Sequence, residues 1–195
     1  MRILVMGSGG VGGYYGALLH NAGHEVTFVA RGEHLDEIRK NGLKINSVNS
    51  GNFTIRPPAV DRPDGSSKAD LILFCVKGYD NPTAIPIIAP VVGADTTILT
   101  IQNGIGSGDQ LSDKFDRVNV LVGVTYMSAA VSRPGTIDEF GGQTKIITGE
   151  EDGVKTERVL SIQQAAMESN IEFVVSDNIA LEIWTKLLVI CALSG

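Results

Sequence analysis

Short unbroken aliphatic runs alternate along the chain with longer segments whose apolar positions recur every three or four residues. Such runs mark strands buried on both faces, and their alternation with helices marks a mostly parallel α/β sheet. Residues 3–6, 26–29, 71–76, 97–101 and 118–126 predict five strands of this kind, and 172–175 a later one. Helices are predicted over 11–21, 33–40, 81–92, 109–115 and 154–169, with a last one from Ile179 onward. Gly23 and Asn41-Gly42 supply stops for the first two. Pro82 suits the opening of the third, and Pro86 and Pro90 predict a kink in it. Two stretches break the rhythm. Residues 43–60 alternate in the β manner around a turn at 49–52, which predicts a small antiparallel excursion. Residues 128–148, with Pro134-Gly135 and Gly141-Gly142, predict two or three antiparallel strands capping one edge of the sheet.

The first strand runs straight into Gly7-Ser8-Gly9-Gly10-Val11-Gly12, and the first helix opens on it. In that setting G-x-G-x-x-G is a dinucleotide-binding signal, and the fold it implies is a doubly wound, Rossmann-type sheet. Gly7 permits the tight turn, Gly9 lets backbone approach a pyrophosphate, and Gly12 lets helix and strand pack closely. The phosphates then rest on free amides at the positive end of the helix. A glycine-rich turn with no ligand is the bland alternative.

After the second strand the chain reads Val29-Ala30-Arg31-Gly32. An acidic residue there would hold the ribose hydroxyls of NAD, whereas an arginine can pair with the 2′-phosphate of NADP. Arg31 therefore predicts NADP(H), with a solvated surface arginine as the alternative. Lys77-Gly78 and Gln102-Asn103-Gly104 follow two further strands, so both fall on the rim where open parallel sheets bind ligands. Asn-Gly is also a common turn dipeptide. On the final helix, Glu182 and Lys186 stand one turn apart. They form either an ordinary surface ion pair or a lysine held beside a cleft as a proton donor.

Composition narrows the reading without redirecting it. The 195 residues suffice for one domain with part of another. Sixteen Lys and Arg against 22 Asp and Glu leave a net charge of -6, which argues against a nucleic-acid binder. Cys75 and Cys191 both sit in aliphatic runs and are expected to be buried core thiols, not a disulfide or metal pair. No signal peptide is expected at Met1-Arg2, and the apolar run at 187–193 is far short of the ~20 residues that span a bilayer. The expectation is a soluble, cytoplasmic protein without membrane or metal. The same run needs a surface to bury against, which predicts a longer parent chain or a partner, including a homodimer through the last helix.

Together these features resemble the ketopantoate reductase (2-dehydropantoate 2-reductase) family, from GSGGVGGYYGALL through HEVTFVARG, FCVKGYD and TIQNG to EIWTKL. The resemblance implies NADPH-dependent reduction of 2-dehydropantoate, a 2-oxoacid, to (R)-pantoate, in pantothenate and coenzyme A biosynthesis. It implies that Gly7, Ser8, Gly9, Gly10, Val11 and Gly12 hold the pyrophosphate and Arg31 the 2′-phosphate. Lys77 would lie near cofactor and substrate, Asn103 beside the nicotinamide, and Lys186 would be the general acid. It further implies a Rossmann domain over residues 1–175, then at 176–195 the first helix of a helical substrate domain otherwise absent from this chain. Where the family usually places asparagines facing the substrate, this chain has Ile190 and Ser194. That puts substrate recognition in doubt, and without the helical domain the chain is expected to bind NADPH but to turn over poorly or not at all. The alternatives are another NADP-dependent 2-oxoacid or imine reductase, or a non-catalytic NADP-binding module.

Overall fold

A computed structural model describes the backbone of residues 1–194 and side chains through residue 192. β1 (Arg2–Met6) leads through α1 (Gly10–Asn21) to β2 (Glu25–Val29) and α2 (Gly32–Asn41). Next come β3 (Leu43–Ser47), β4 (Phe53–Ile55), β5 (Ala59–Val60), β6 (Leu71–Phe74) and α3 (Asn81–Ile88). β7 (Thr97–Thr100), α4 (Ser107–Ser112), β8 (Val120–Tyr126), β9 (Ala129–Arg133), β10 (Thr136–Glu139) and β11 (Lys145–Thr148) follow. α5 (Glu157–Glu168), β12 (Glu172–Val175) and α6 (Ile179–Ser194) come last.

Eight strands form the main sheet in the order β12-β11-β8-β7-β6-β1-β2-β5. All pairings from β5 to β8 are parallel, and β11 turns antiparallel to β8 with β12 parallel beside it. This is the doubly wound Rossmann-type order, with its switch point between β1 and β6. Alternation along β1 feeds two cores. Ile3 and Val5 pack with α1, α2 and α5, while Leu4 and Met6 pack with α3 and α4 on the other face.

The first irregular stretch holds the expected antiparallel pair, β3 with β4, but the second departs from expectation. Of its strands only β11 joins the main sheet, where β12 lies beyond it at the edge. β9 and β10 instead join β3 and β4 in a separate four-stranded sheet ordered β4-β3-β10-β9, whose central pair, β3 and β10, is parallel. This small sheet lies on the outer face of α1, so the helix is buried on both sides. A Cβ on Gly10 would overlap the Ala129 carbonyl, and one on Gly13 would overlap the Ile137 side chain. At Gly10, where the obstacle is backbone, this close approach, invisible to local periodicity, depends on glycine; at Gly13 the obstacle is the end of a side chain. Glu139, 2% exposed, ties the small sheet to its own loops. It accepts hydrogen bonds from Ser47 Oγ (2.6 Å) and the Asn49 and Gly141 amides (3.1 and 2.5 Å). Burial alone would raise its pKa, but these donors outweigh it and hold the carboxyl below its usual range.

Three helices are shorter than predicted, among them α5, which spans Glu157–Glu168. α3 stops at Ile88 and passes into a 3-10 turn over Ala89–Val91, because Pro90 has no N–H to continue the ladder. α4 is a brief helix, and residues 113–115 leave it.

Candidate active site

The carboxyl ends of β1, β2, β6, β7 and β8 converge on an open cleft of about 500 Å³ at the switch point. Gly7 to Val11, Arg31, His34, Lys77, Asn103, Thr125 and Met127 line it. The glycine loop, Arg31, Lys77 and Asn103, which the sequence singles out separately, thus share one rim. A smaller pocket of about 320 Å³ lies at the opposite, amino-terminal rim and contains none of these groups.

Gly7 has φ +100°, and a Cβ there would press on the Val76 backbone, so both conformation and space require glycine. Gly9 differs. Its φ is an ordinary -75° and a Cβ on it would meet nothing. The protein itself has no need of glycine there, but a ligand resting on the backbone would. The first turn of α1 adds to the cradle, since its earliest internal bond runs from the Gly13 amide to the Gly9 carbonyl (2.8 Å). Amides ahead of it are free to receive an anion. Ser8 contributes backbone only: its hydroxyl is spent on the Val29 carbonyl at 2.8 Å.

Arg31 reaches across the mouth of the cleft to Asp80, with guanidinium–carboxylate distances of 3.3 and 3.4 Å. Its side chain is 81% exposed, so a phosphate arriving from solvent can compete for it. These features fit the phosphates of a nicotinamide dinucleotide.

The other end of the candidate site is built on α6, which starts with Asn178 accepting from the Leu181 amide (3.1 Å) and packs across β8. Among the described residues Lys186 makes no ion pair with Glu182. It turns inward, 6% exposed, and donates to Asn103 Oδ1 at 2.7 Å. Burial pushes the Lys186 ammonium down to about 8. Its Nζ also stands 5.9 Å from the Tyr126 ring, which Lys145 approaches at 5.8 Å. Lys186 itself is not part of the cleft wall; Asn103, which it touches, is.

Asn103 is placed by a polar network that sequence reasoning missed. Gln102 donates to the Val76 carbonyl (2.6 Å) and to Asn81 Oδ1 (2.8 Å), and accepts from Thr100 (3.0 Å). Asn81, 1% exposed, continues to Gln110 at 2.8 Å. The ends of β6 and β7 are thereby locked together. Thr125, also on the cleft, is fixed from below by Tyr15 at 2.6 Å. Cys75, expected wholly inside the core, is half-buried and lines the cleft because it follows the end of β6, and desolvation raises its thiol to about 12.

Three expectations need comment. Cys191 is exposed, not a core thiol, because it lies on an uncovered side of α6 together with Leu181, Trp184, Leu188 and Val189. Ile190 is half-buried on the same helix. The side chain of Ser194, a proposed substrate contact, lies outside the described residues.

Residues 3–153 match the family described as ketopantoate reductase PanE/ApbA. The uncharacterized oxidoreductase YkpB of Bacillus subtilis is 30% identical over all of this chain and 64% of its own length. The 2-dehydropantoate 2-reductase of Halobacterium salinarum is 31% identical over 97% of this chain and 62% of its own. Thus the chain spans less than two thirds of these relatives. Among solved structures, a PanE/ApbA family ketopantoate reductase from Ralstonia eutropha superposes with TM-score 0.88 at 29% identity, over 98% of this chain and 62% of that one. A D-mandelate dehydrogenase solved with NADH and anilino(oxo)acetate gives TM-score 0.86 at 26% identity, covering 95% and 60%. No helix among the described residues is long and apolar enough to cross a membrane.

Proposed function

Because this chain belongs to the ketopantoate reductase PanE/ApbA family, we propose that it is the cofactor-binding and proton-donating part of an NADPH-dependent 2-oxoacid reductase, with 2-dehydropantoate as substrate and (R)-pantoate as product. The observation that carries this reading is the buried Lys186, held at 2.7 Å by Asn103 on the rim that also bears the glycine loop.

A reduced nicotinamide bound in the cleft would supply a hydride for the substrate's carbonyl carbon. The Gly9–Val11 amides would hold its pyrophosphate, and Arg31 would exchange Asp80 for the 2′-phosphate. Lys186, standing behind Asn103, would meet the carbonyl oxygen past that side chain. Its ammonium lowers the barrier by stabilising the developing alkoxide and then surrenders a proton to it. Lowered to about 8, the ammonium is a stronger acid than an ordinary lysine and lies close to working pH. Asn103 keeps the ammonium oriented and gives it an acceptor until substrate replaces it.

Titration with NADPH and NADH, followed by Trp184 fluorescence, tests the cofactor half. Tighter binding of NADPH supports it, and binding of neither refutes it. Reduction of 2-dehydropantoate, abolished by Lys186→Ala with NADPH binding retained, tests the chemistry. A second reading, another 2-oxoacid as substrate, is favoured by Ile190 on α6 and by the mandelate dehydrogenase likeness. A substrate panel separates the two. Self-association through the exposed Leu181, Trp184 and Leu188 is part of the same proposal, and sedimentation tests it.

A further inference from the structure

His34, in the first turn of α2, has both ring nitrogens engaged. The Gly135 amide approaches Nδ1 at 3.1 Å, and an amide can only donate, so Nδ1 is the acceptor. The proton therefore sits on Nε2, which donates to the Ser8 carbonyl at 2.8 Å. Burial holds the ring's pKa below its ordinary value, in keeping with a neutral imidazole.

The Ser8 carbonyl belongs to the same peptide unit as the Gly9 amide. In a trans peptide the two point in opposite directions. Anchoring the carbonyl on one side thus aims the Gly9 N–H the other way. That amide donates to no protein acceptor among the described residues, and Gly9 faces the cleft with open space where a side chain would be. The other end of Ser8 is equally restrained, since its amide and hydroxyl both reach the Val29 carbonyl, at 3.3 and 2.8 Å. Left without His34, the Ser8–Gly9 peptide would still be tethered to β2 but could rotate its N–H out of line.

We propose that His34 is a positioning residue for the cofactor pyrophosphate, holding the Gly9 amide aimed at it through the Ser8 carbonyl. This rests on the cofactor reading above and extends it. The segment Arg31–His34 would then serve both charged ends of the nucleotide, Arg31 by direct contact and His34 through the peptide it clamps. Gly135, in the turn between β9 and β10, steadies the ring from behind.

The test uses NADPH and adenosine 2′-monophosphate, a probe that carries the 2′-phosphate but no pyrophosphate. Affinities are measured by calorimetry or competition for the wild type, His34→Leu, His34→Asn and His34→Gln, with thermal melting to confirm folding. A glutamine amide can take the place of Nε2 and an asparagine amide that of Nδ1. His34→Leu and His34→Asn should weaken NADPH about tenfold, as expected for one lost orienting hydrogen bond. Adenosine 2′-monophosphate should stay within about twofold of wild type on the same argument, since the Arg31 end is untouched. His34→Gln should restore NADPH binding. Unchanged NADPH affinity in His34→Leu would overturn the proposal. So would equal loss of both ligands, or rescue by asparagine in place of glutamine, which would assign His34 a purely structural role. A wild type that binds neither nucleotide would instead sink the cofactor reading on which this one stands.

Discussion

Asn103→Ala removes the acceptor of a buried ammonium while leaving the lysine in place. Lys186 Nζ donates to Asn103 Oδ1 at 2.7 Å and is 6% exposed. A hydrogen bond to a charged group contributes roughly 1.5–3 kcal/mol, and each pKa unit corresponds to about 1.4 kcal/mol. Loss of the acceptor penalises only the charged form. The titration midpoint should therefore fall from about 8 to roughly 6–7. At pH 7.5 the charged fraction of Lys186 would drop from about three quarters to about a quarter or less. Lysine labelled with ¹³C at Cε lets NMR follow this one side chain, identified by its absence in Lys186→Met, independently of turnover. A midpoint that does not move in a folded Asn103→Ala protein would refute the assigned contact. A wild-type midpoint at the ordinary lysine value would refute the burial argument itself.

Other expectations follow from the same geometry. Asp80→Asn frees Arg31 from its carboxylate partner, so the preference for NADPH over NADH should rise several-fold, about 1 kcal/mol for an exposed pair; an unchanged ratio in binding titrations would count against Arg31 as the phosphate ligand. Lys186→Met should raise thermal stability at pH 7, because lowering a lysine from 10.5 to about 8 costs the folded state roughly 3 kcal/mol while it stays charged. The sign is fixed by proton uptake. Between pH 8 and 10.5 the unfolded chain binds the extra proton, so wild-type stability rises with pH in that window and the mutant's advantage shrinks. Alkylation followed by mass spectrometry should modify exposed Cys191 rapidly at pH 8 and Cys75, raised to about 12, far more slowly; comparable rates would contradict the packing around β6.

What could be read from sequence was what periodicity and local spacing encode. The apolar runs at 3–6, 26–29, 71–76 and 97–101 announced the parallel strands, and Gly7-Ser8-Gly9 announced the cleft between β1 and β6. Arg31, Lys77 and Asn103 were placed on the right rim because strand ends share a direction. Contacts between distant segments were not legible. Spacing left open whether Lys186 pairs with Glu182 or stands beside a cleft, and only the crossing of α6 over β8 brings it to Asn103. Gly10 and Gly13 read as part of the nucleotide motif or of a glycine-rich helix, but they serve a second sheet assembled from elsewhere in the chain. His34 and Asn81 went unremarked. Their one signal was a polar residue with two hydrogen-bonding groups placed just beyond a strand end, which becomes informative only once its neighbours are known. Cys191 was misjudged because an aliphatic run was taken as buried without asking which side of the helix is covered.

The small sheet carries a cost that appears only during folding. Its central parallel pair joins Ser47 to Glu139, 92 positions apart. Closing a loop of that length costs on the order of 4 kcal/mol in chain entropy before any contact repays it. Every local element of the β1-α1-β2 unit can form earlier, including the glycine turn. The covering on α1, and Gly135 behind His34, must wait for a segment synthesised much later. Newly made chains should therefore pass through a state in which the turn exists but α1 is bare along Gly10 and Gly13, a flat, side-chain-free strip of helix. How long that state lasts should follow the non-local pairing of β3 with β10, a kind of contact that forms slowly.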